Sequence, residues 1–501
     1  MPDRAALGVA RSERLRTLWG AASIGLAVLA VAALFLVVTT SNPPGFYRDE
    51  AAIAYNALSV AHTGKDEFGA TRPLFFRSFG DYKSPAYIYL LAGVFKISSP
   101  SILAARFLSA ALGLAAVVLL GLLAARASGR APVGVAVMVF GALNPWLFEV
   151  SRVVFEVALF PLVLVLFLLL LHRAQEGPRW SRVESAGLGA LLGLITYTYP
   201  TGRLLAPLLA LGLLLFVSRR RWVAVLEVWL AYGLALVPLI VYAVRHPGAL
   251  GARFEVTSYI THGYSARGAV RQFVENHAAD ANLWRWVVDG DPNPRHHVPG
   301  MGSLLVATAI LGVAGIALVV LRRRSDPWWR FALFGLVASL VPAALTFDRL
   351  HTLRLIPAPI FFLLLTVPAL EWLWDGRGAR SPARAVLALV LAGTVAQGAA
   401  FQWQFREKGP DRGVAFEAAY PRVFAGAVAD RRRPIHVFPA DHDYVLAYWY
   451  GALWGVGASE IVEVPAGSAP PSGALVVTKL APCPGCLVLA REDRFVAYVS
   501  R

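Results

Sequence analysis

The chain has 501 residues, of which 57% are hydrophobic and only 16% are charged, and its mean hydropathy is +0.58. Because a soluble protein of this length carries roughly a quarter charged residues, this composition excludes a wholly soluble protein and indicates a polytopic membrane protein. The formal net charge of +16 does not indicate a nucleic-acid partner, since the arginines are concentrated in short loops between apolar segments, as membrane topology requires. Long apolar runs such as residues 24–38 lack the alternation of a β-barrel, so helical spans are predicted.

The first apolar segment, residues 21–40, follows a basic head that contains Arg4, Arg11, Arg14 and Arg16. Its length of about 20 residues is enough to cross a bilayer, and its apolar core is longer than that of a cleaved signal peptide. We therefore predict an uncleaved helix with a cytoplasmic N-terminus.

Residues 86–97 are apolar but too short to span, and are predicted to be interfacial or re-entrant. Ten further spans, which bring the total to about 11 crossings, are predicted at 101–125, 132–150, 155–172, 184–200, 203–218, 222–244, 302–321, 328–347, 354–374 and 383–403.

When these spans are threaded alternately, every short basic loop lies on the cytoplasmic side, as the positive-inside rule requires. The same threading leaves the polar segments 41–100, 151–156 and 245–300 and the tail from about 405 outside. Residues 1–404 are thus predicted to form the transmembrane domain, with 245–300 as a lid loop, because Asp-Pro and Asn-Pro steps within 290–300 break any helix.

Residues 405–501 are rich in Pro, Gly and charge, with short β-like runs at 434–439, 474–480 and 494–500. They predict a small extracytoplasmic α/β domain after an all-α polytopic membrane domain. Cys483 and Cys486 are the only cysteines, so no disulfide framework organises the fold. Two ligands alone cannot close a zinc site, and a short disulfide or an inert turn is predicted instead.

The densest set of polar side chains lies in residues 46–85, directly after the first span. The acidic pair Asp49–Glu50 opens this loop and the pair Tyr82–Lys83 closes it. A carboxylate at a membrane edge is costly to desolvate, so it is usually paired, solvated or functional. Acids also favour the first turn of a helix, and a lysine here can snorkel or meet a lipid phosphate, so these alternatives stay open. The middle of the loop, residues 65–67, is predicted to be a solvated turn.

Further ionisable side chains fall on the same predicted membrane face. Glu149, Arg152 and Glu156 form one helical row if the helix is continuous there, either neutralising one another or serving a site. Arg106, near the outer end of a span, either snorkels or binds an anion. Two outside turns hold the other polar candidates, which are Tyr197, Tyr199 and Arg203 in one and Asp348, Arg349, His351 and Arg354 in the other.

Acids and cations on one membrane face suit the attack of a hydroxyl group on a phosphate-activated sugar. The neutral hydroxyl needs a base, which a carboxylate supplies. The leaving phosphate needs cations, which Lys and Arg provide. A lipid-phosphate or polysaccharide transporter is one alternative, although transporters hold ionisable groups near the midplane and often show repeats, neither of which is visible here. A non-catalytic sensor of a lipid donor is another.

The chain resembles the GT-C glycosyltransferases, and more narrowly the bacterial branch related to the protein O-mannosyltransferases and the lipid A aminoarabinose transferase. The resemblance implies a polyprenyl-phosphate-linked sugar donor and direct, inverting transfer to a hydroxyl of a glycan, lipid or protein outside the cytoplasmic membrane. It rests on an ordered set of motifs between residues 45 and 405, namely YRDEA, DYKSPAYIYLLAGVFKI, LAARFLSAALGL, NPWLFEVSRVVFE, YTYPTGRLLAP, DPNPRHHVPG and HTLRLIPAP.

The resemblance also implies roles for single residues. Asp49 matches the catalytic base of the family, with Glu50 beside it, and Lys83 matches a lysine that contacts the donor phosphate. Glu156 matches an acid that is commonly aspartate in the family. Arg203, His351 and Arg354 match positions that line the donor cavity of the family. Tyr82 and Arg106 are also predicted to lie at the donor phosphate, and Arg152, Tyr197, Tyr199 and Asp348 are predicted to lie in the substrate cavity. No metal ligand is predicted; the outside acids could bind one divalent cation, Mg²⁺ or Mn²⁺, but their spacing specifies neither.

Overall fold

The computed structural model of the chain describes residues 22–376, 382–438, 442–465 and 467–501. The basic head at 1–20 and two arginines of the last basic loop, Arg377 and Arg380, lie outside the described residues. The helices up to residue 408 are α1 (Ala22–Leu36), α2 (Arg48–Thr63), α3 (Pro85–Ile97), α4 (Ile102–Ser128), α5 (Ala131–Leu143), α6 (Pro145–Val150), α7 (Phe160–Glu176), α8 (Arg182–Thr198), α9 (Pro200–Gly212), α10 (Trp222–Arg245), α11 (Ala252–Thr257), α12 (Ala266–Asp280), α13 (Val306–Arg322), α14 (Pro327–Ala344), α15 (Pro357–Leu364), α16 (Val367–Trp374) and α17 (Pro382–Lys408).

Six helical stretches of the described chain are long and apolar enough to cross a membrane: Ile102–Ser128, Glu156–Glu176, Trp222–Arg245, Pro327–Ala344, Pro357–Trp374 and Pro382–Lys408. Shorter apolar helices accompany them at Ala22–Leu36, Pro85–Ile97, Ala131–Leu143, Pro200–Phe216 and Val306–Arg322. The chain is therefore a multi-span membrane protein, as its composition predicted. Each predicted span overlaps a helix, and the number of crossings stays a prediction.

Several helices begin where the sequence supplies a cap. The Ser101 hydroxyl accepts a hydrogen bond from the Ala104 N–H at 3.1 Å at the start of α4, and the Asn144 side chain accepts one from Leu147 at 3.1 Å at the start of α6. Such side chains satisfy backbone donors that have no partner within the helix. A proline at the first position of a helix, such as Pro200 of α9, also favours its start, because its fixed φ angle is already helical.

The segment between α5 and α7 is not one continuous helix. Helix α6 ends at Val150, and a 3₁₀ turn begins only at Glu156. Glu149, Arg152 and Glu156 therefore do not form the row that a continuous helix would give. Glu149 instead accepts a hydrogen bond from the backbone N–H of Val298 at 2.7 Å.

The loop between α2 and α3 contains a two-stranded hairpin, β1 (Phe76–Ser78) and β2 (Asp81–Lys83). Before it, the predicted solvated turn at residues 65–67 is wrong. Asp66 is buried and accepts hydrogen bonds from the N–H groups of Phe68 and Ala70 at 3.0 and 2.8 Å. Asn56 donates to Glu67 at 3.2 Å, and burial raises the pKa of Glu67 to about 8.

The residues after α17 form a small α/β unit, as predicted. Its helices are α18 (Tyr420–Asp430) and α19 (Tyr444–Trp454), and its strands are β3 (Ile435–Val437), β4 (Ile461–Glu463), β5 (Leu475–Thr478), β6 (Leu487–Glu492) and β7 (Phe495–Val499). The sheet order is β4-β3-β5-β7-β6, with β3 parallel to β4 and β5 and with β7 antiparallel to β5 and β6. Each of the three predicted β-like runs contains a strand. Cys483 and Cys486 are joined by a disulfide.

This C-terminal unit packs directly on the first loop. Tyr448 of α19 stacks on Tyr55 of α2 with ring centroids 5.3 Å apart, and Phe46 lies 5.3 Å from Trp449. Gly45 has a φ of +72°, and a Cβ atom there would lie 2.4 Å from the backbone oxygen of Phe416. Only glycine allows this backbone approach between the first loop and the C-terminal unit.

A buried ion pair anchors the start of α2. Glu50 and Arg106 are both fully buried, and the guanidinium of Arg106 meets both carboxylate oxygens at 3.2 and 3.0 Å. Glu50 also accepts hydrogen bonds from the N–H groups of Tyr47 and Val154 at 3.0 Å. Arg106 in turn donates to the carbonyl of Pro43 at 2.6 Å. The pair thus joins α2, α4 and the segment that leads to Glu156.

Replacement of Glu50 by Gln leaves the Arg106 charge buried without its counter-ion. Breaking a buried pair in this way typically costs about 3–5 kcal/mol, so we expect a large fall in the thermal unfolding midpoint in detergent. Arg271→Gln removes an exposed i,i+4 pair with Glu275 and serves as the control, for which no shift is expected. Equal midpoints for the two variants would contradict the anchoring role.

Candidate active site

A cavity of 1430 Å³ opens where the first loop meets the later loops of the chain. Its wall is built from the start of α2, the β1–β2 hairpin, the turn at Glu156, the start of α9, helix α11, residues 291–296 and the turn at 346–354. His442 of the C-terminal unit completes it. The predicted site residues that line the cavity are Asp49, Tyr82, Lys83, Glu156, Tyr199, Arg203, Asp348, His351 and Arg354.

Asp49 and Lys83 form an ion pair in this wall. The Lys83 ammonium lies 2.6 Å from the Asp49 carboxylate, although the two residues stand at opposite ends of the first loop. The hairpin brings them together, because Gly80 takes a φ of +80° at its turn and β2 ends at Lys83. Burial opposes the ionisation of Asp49, but the Lys83 charge and hydrogen bond outweigh it, so the pKa of Asp49 lies below its ordinary value. The same pairing raises the pKa of Lys83 despite its burial.

Glu156 lies on the other side of Lys83. Its carboxylate accepts a hydrogen bond from the backbone N–H of Ser84, the residue that follows Lys83. The Glu156 side chain is buried and its negative charge acts on Lys83. Two carboxylates therefore fix this end of the hairpin, Asp49 at the Lys83 ammonium group and Glu156 at the backbone N–H of Ser84.

Two arginines add positive charge to the cavity. Arg203 donates to the carbonyl of Leu250 at 2.9 Å, and its guanidinium lies 4.9 Å from the Phe75 ring. Its Nε and Nη2 are buried, and within the described residues they have no hydrogen-bond partner. Arg253 forms an ion pair with Asp81 at 3.2 Å. Because buried N–H groups without partners are costly, the free edge of Arg203 suits an anionic ligand.

The opposite wall carries a histidine pair. His296 and His351 have ring centroids 4.7 Å apart, and His296 Nδ1 lies 3.1 Å from Asp291 Oδ2. Burial and the neighbouring His296 and Arg354 lower the pKa of His351 well below its ordinary value. Arg354 pairs with Asp348 at 2.8 Å. His351 is therefore neutral, and the charge of Arg354 is paired with Asp348. This wall adds hydrogen-bond donors to the cavity but less unpaired positive charge than the wall that holds Arg203.

Asp291, His296 and His351 place three metal-ligand atoms within 4.8 Å of one another. The donor set of two imidazoles and one carboxylate suits a divalent transition metal. Asp291 Oδ2, however, also accepts hydrogen bonds from the N–H and hydroxyl of Thr352 at 2.8 and 2.6 Å. The carboxylate is thus already used to orient His296 and the 351–354 turn.

One edge of the cavity is apolar. Leu204, Leu250, Phe254, Val256 and Leu345 line it. Val256 is 71% exposed and Leu204 is 40% exposed, so this edge is continuous with the apolar outer surface. A ligand with a polar head and a hydrocarbon tail would place the head among the charged groups and the tail along this edge.

Four predicted site residues do not line the cavity. Glu50 and Arg106 form the buried ion pair described above. Arg152 donates to the carbonyls of Leu34 and Phe35 at the end of α1, where a cation favourably meets the carbonyl end of a helix. The Tyr197 hydroxyl bonds to the backbone of α10 through the Ala235 carbonyl at 2.9 Å.

The cavity also contains groups that the sequence did not single out as site residues. Asp81, Arg253, Asp291, Arg295 and His296 all line it. The motif DPNPRHHVPG marked the region of the last three, but gave no sign of which side chains turn inward. Asp81 lies in the three-residue strand β2 and Arg253 in the six-residue helix α11, and neither element is long enough for a pattern that distinguishes these residues from solvated charges.

Glu417, in the segment between α17 and α18, connects the C-terminal unit to the start of α2. Its carboxylate accepts a hydrogen bond from the Arg48 backbone N–H at 2.9 Å and pairs with the Arg48 side chain at 3.4 Å. It also pairs with Arg494 and Lys479 at 3.4 and 3.6 Å. Arg48 directly precedes Asp49, so the C-terminal unit helps to set where Asp49 lies.

Replacing Lys83 by Met should reverse the effect of pH on the Asp49 contribution to stability. With Lys83 present, the lowered pKa of Asp49 makes the carboxylate stabilising above its ordinary pKa, and this is lost as the pH falls through the folded-state pKa. Without Lys83, burial raises that pKa, so stability is lost as the pH rises from about 4 toward neutrality.

The measurement is the thermal unfolding midpoint of Lys83→Met in detergent as a function of pH. The double variant Lys83→Met/Asp49→Asn is the control, because it has no carboxylate at position 49. A difference between the two that does not grow with pH would contradict the pairing.

Comparisons with known proteins agree with this architecture. A family model described as dolichyl-phosphate-mannose-protein mannosyltransferase matches residues 82–244. No curated protein matches the chain. The crystal structure of ArnT from Cupriavidus metallidurans in the apo state aligns with a TM-score of 0.64 at 14% identity, covering 96% of this chain and 98% of that one. The structure of the same protein bound to undecaprenyl phosphate aligns with a TM-score of 0.58 at 14% identity, covering 95% and 98%. The chain therefore has the GT-C fold of ArnT, as its ordered motifs predicted, and carries the mannosyltransferase sequence pattern over residues 82–244.

Proposed function

We propose that the protein is a membrane glycosyltransferase that moves a sugar from a polyprenyl-phosphate donor to an acceptor hydroxyl, with inversion at the sugar carbon and Asp49 as the general base. The observation that carries the proposal is the Asp49–Lys83 pair at 2.6 Å in the wall of the large cavity. A base and a phosphate-binding cation in direct contact are the two groups that this displacement needs.

The donor phosphate fits between Lys83 and Arg203. Both line the cavity, and the buried Nε and Nη2 of Arg203 would gain the acceptor oxygens that they lack within the described chain. Charge-assisted bonds from Lys and Arg to phosphate are among the stronger hydrogen bonds in proteins. The prenyl chain would follow the apolar edge past Leu204 and Val256. The match to a fold whose crystal structure is bound to undecaprenyl phosphate supports a donor of this kind.

Donor binding would also activate the base. In the unliganded cavity the Lys83 charge keeps the pKa of Asp49 low, which makes the carboxylate a weak proton acceptor. A phosphate that draws Lys83 toward itself weakens this pairing, while burial of Asp49 remains. The pKa of Asp49 then rises, and the base becomes stronger when the donor is in place.

The transfer is a single displacement. The acceptor oxygen forms a bond to the anomeric carbon of the sugar, and its proton passes to Asp49. The bond between that carbon and the phosphate oxygen breaks, and its electron pair leaves with the polyprenyl phosphate, whose charge Lys83 and Arg203 stabilise. Attack from the side opposite the leaving group inverts the sugar carbon. Glu156 contributes by fixing the backbone next to Lys83 through Ser84.

The donor assay tests this assignment with purified protein in detergent and polyprenyl-phosphate sugars. The readout is the release of the lipid phosphate, with donor binding measured separately. We expect Asp49→Asn to lower turnover by about 10²–10⁴-fold, the usual contribution of a general base, while donor affinity stays within a few fold. A sensor or a transporter would show no dependence of sugar release on Asp49.

The phosphate assignment predicts the opposite pattern for Arg203→Gln and Lys83→Ala. Both should weaken donor binding by roughly tenfold or more, because each removes a charge-assisted bond to phosphate. Lys65→Ala is the matched control, since Lys65 is an exposed lysine of the same loop. Unchanged donor affinity in both Arg203→Gln and Lys83→Ala would contradict the placement of the donor phosphate between these two residues.

We also propose that the cavity and the C-terminal unit lie outside the cytoplasmic membrane. Single cysteines at the exposed positions Ala70 and Ala281, introduced on a Cys483→Ser/Cys486→Ser background, should react with an impermeant thiol reagent in intact cells. Ala131→Cys, at the end of a predicted cytoplasmic loop, should react only after the membrane is opened. Labelling of either loop position only in opened cells would reverse the proposed orientation.

A further inference from the structure

The C-terminal unit contributes a side chain, His442, to the wall of the large cavity. Its imidazole lies against Phe79 at the tip of the β1–β2 hairpin, with ring centroids 4.9 Å apart, and Phe79 lines the same cavity. We propose that His442 determines sugar specificity: together with Phe79 it forms the surface on which the transferred sugar packs, and its imidazole hydrogen-bonds to the hydroxyl at C4, opposite the anomeric carbon. The inference rests on the proposed function, because it names what selects the sugar of the donor.

Both residues of this contact have an unfavourable backbone conformation. The φ angle is +52° at Phe79 and +58° at His442. Phe79 and Gly80 are the central residues of a two-residue turn between the paired Ser78 and Asp81, where asparagine or aspartate normally takes the place of Phe79. A bulky aromatic residue is rarely found in this conformation. Such strain is concentrated at ligand sites, so its presence in both partners of one contact indicates that the two side chains serve a ligand.

Phe79 lies next to the groups of the proposed reaction. The Lys83 ammonium is 5.2 Å from the centroid of the Phe79 ring and 2.6 Å from the Asp49 carboxylate. The sugar is bonded to the phosphate that Lys83 would bind, and its anomeric carbon must lie near Asp49. The prenyl chain would leave past Leu204 and Val256, so the sugar points the other way, toward Phe79.

The order of the three side chains sets the orientation of the sugar. Phe79 contacts Lys83 on one side and His442 on the other. A pyranose that packs on the Phe79 ring with its anomeric carbon at the Lys83 end therefore has its opposite ring carbon, C4, at the His442 end. The donor phosphate and His442 would thus hold the two ends of one sugar ring.

The chemistry of the two rings suits a sugar. A pyranose presents C–H groups that pack on an aromatic ring, whereas its hydroxyl groups need polar partners. An imidazole can donate a hydrogen bond from one nitrogen and accept one at the other. Within the described chain the His442 imidazole contacts Phe79 and forms no hydrogen bond or ion pair, so its nitrogens are available to a ligand. A site that hydrogen-bonds a hydroxyl disfavours an analogue without it, because the polar group of the site then lacks a partner.

The binding test uses purified protein in detergent with undecaprenyl phosphate and with its mannose, glucose and galactose derivatives. The contribution of the sugar is the Kd of undecaprenyl phosphate divided by the Kd of the tightest derivative. We expect His442→Ala to lower this ratio about tenfold, the loss of one hydrogen bond, while the Kd of undecaprenyl phosphate itself stays unchanged. His62→Ala is the matched control, because His62 is an exposed histidine in the last turn of α2.

The 4-deoxy form of the preferred donor tests the assigned hydroxyl. The unsubstituted protein should use it with a kcat/KM about tenfold lower than that of the parent donor, and His442→Ala should use the two equally. His442→Asn should restore part of the preference, because asparagine tolerates this backbone conformation and keeps a hydrogen-bonding group. A contact that only packs the C-terminal unit on the hairpin predicts the converse, a lower thermal unfolding midpoint with an unchanged preference.

Several outcomes would overturn the proposal: a sugar ratio of one for all three derivatives, a ratio that His442→Ala leaves unchanged, or an equal fall in His62→Ala. A fall in His351→Asn but not in His442→Ala would move the sugar to the opposite wall. A protein that binds the sugar through His442 but never releases lipid phosphate would keep the sugar site and refute the transferase. An active transferase whose preference does not depend on His442 would do the reverse, so the two failures are distinguishable.

Discussion

The Glu50–Arg106 ion pair is the constraint on which the site depends. Both groups are fully buried, and together they accept from or donate to the backbone at Pro43, Tyr47 and Val154. Ionised groups in such surroundings are stable only when their geometry and hydrogen bonds are nearly complete. The pair therefore has little freedom, and it fixes the start of α2 relative to α4 and to the segment before Glu156. Asp49 and Glu156, two of the carboxylates that line the cavity, are therefore positioned by Glu50, which does not line it.

Two neighbouring cavities have opposite electrostatic arrangements. In the large cavity the acids have cations close by, as in Asp49 with Lys83 and Asp81 with Arg253. In a second cavity of 680 Å³ beyond Tyr47, cations outnumber acids in the lining. Paired charges cancel most of the field in a site, so the site attracts ions only weakly. An excess of positive charge attracts anions.

The apolar runs were sufficient to predict where the helices lie, because burial in lipid or in the helix bundle requires them. They could not predict which of two adjacent acids turns inward. Asp49 and Glu50 follow one another on a helix, so they point about 100° apart, and only the packing of Arg106 from 56 residues away decides between them. Arg106 was predicted either to snorkel or to bind an anion at the donor phosphate, but it is fully buried and binds the side chain of Glu50. Arg253 and Asp81 were missed because the six-residue helix α11 and the three-residue strand β2 are too short to show a periodicity from which the inward side can be inferred.

The contact of Glu417 with the backbone of Arg48 has a consequence for how the protein is made. The ribosome releases the first loop long before it reaches residue 417, and domains generally fold in the order of synthesis. The membrane helices can therefore assemble around the large cavity while the start of α2 still lacks the Glu417 carboxylate, which accepts a hydrogen bond from the Arg48 N–H. Under the proposed function, a nascent protein would bind its donor before Asp49 takes its final position, which delays transfer until the C-terminal unit has folded.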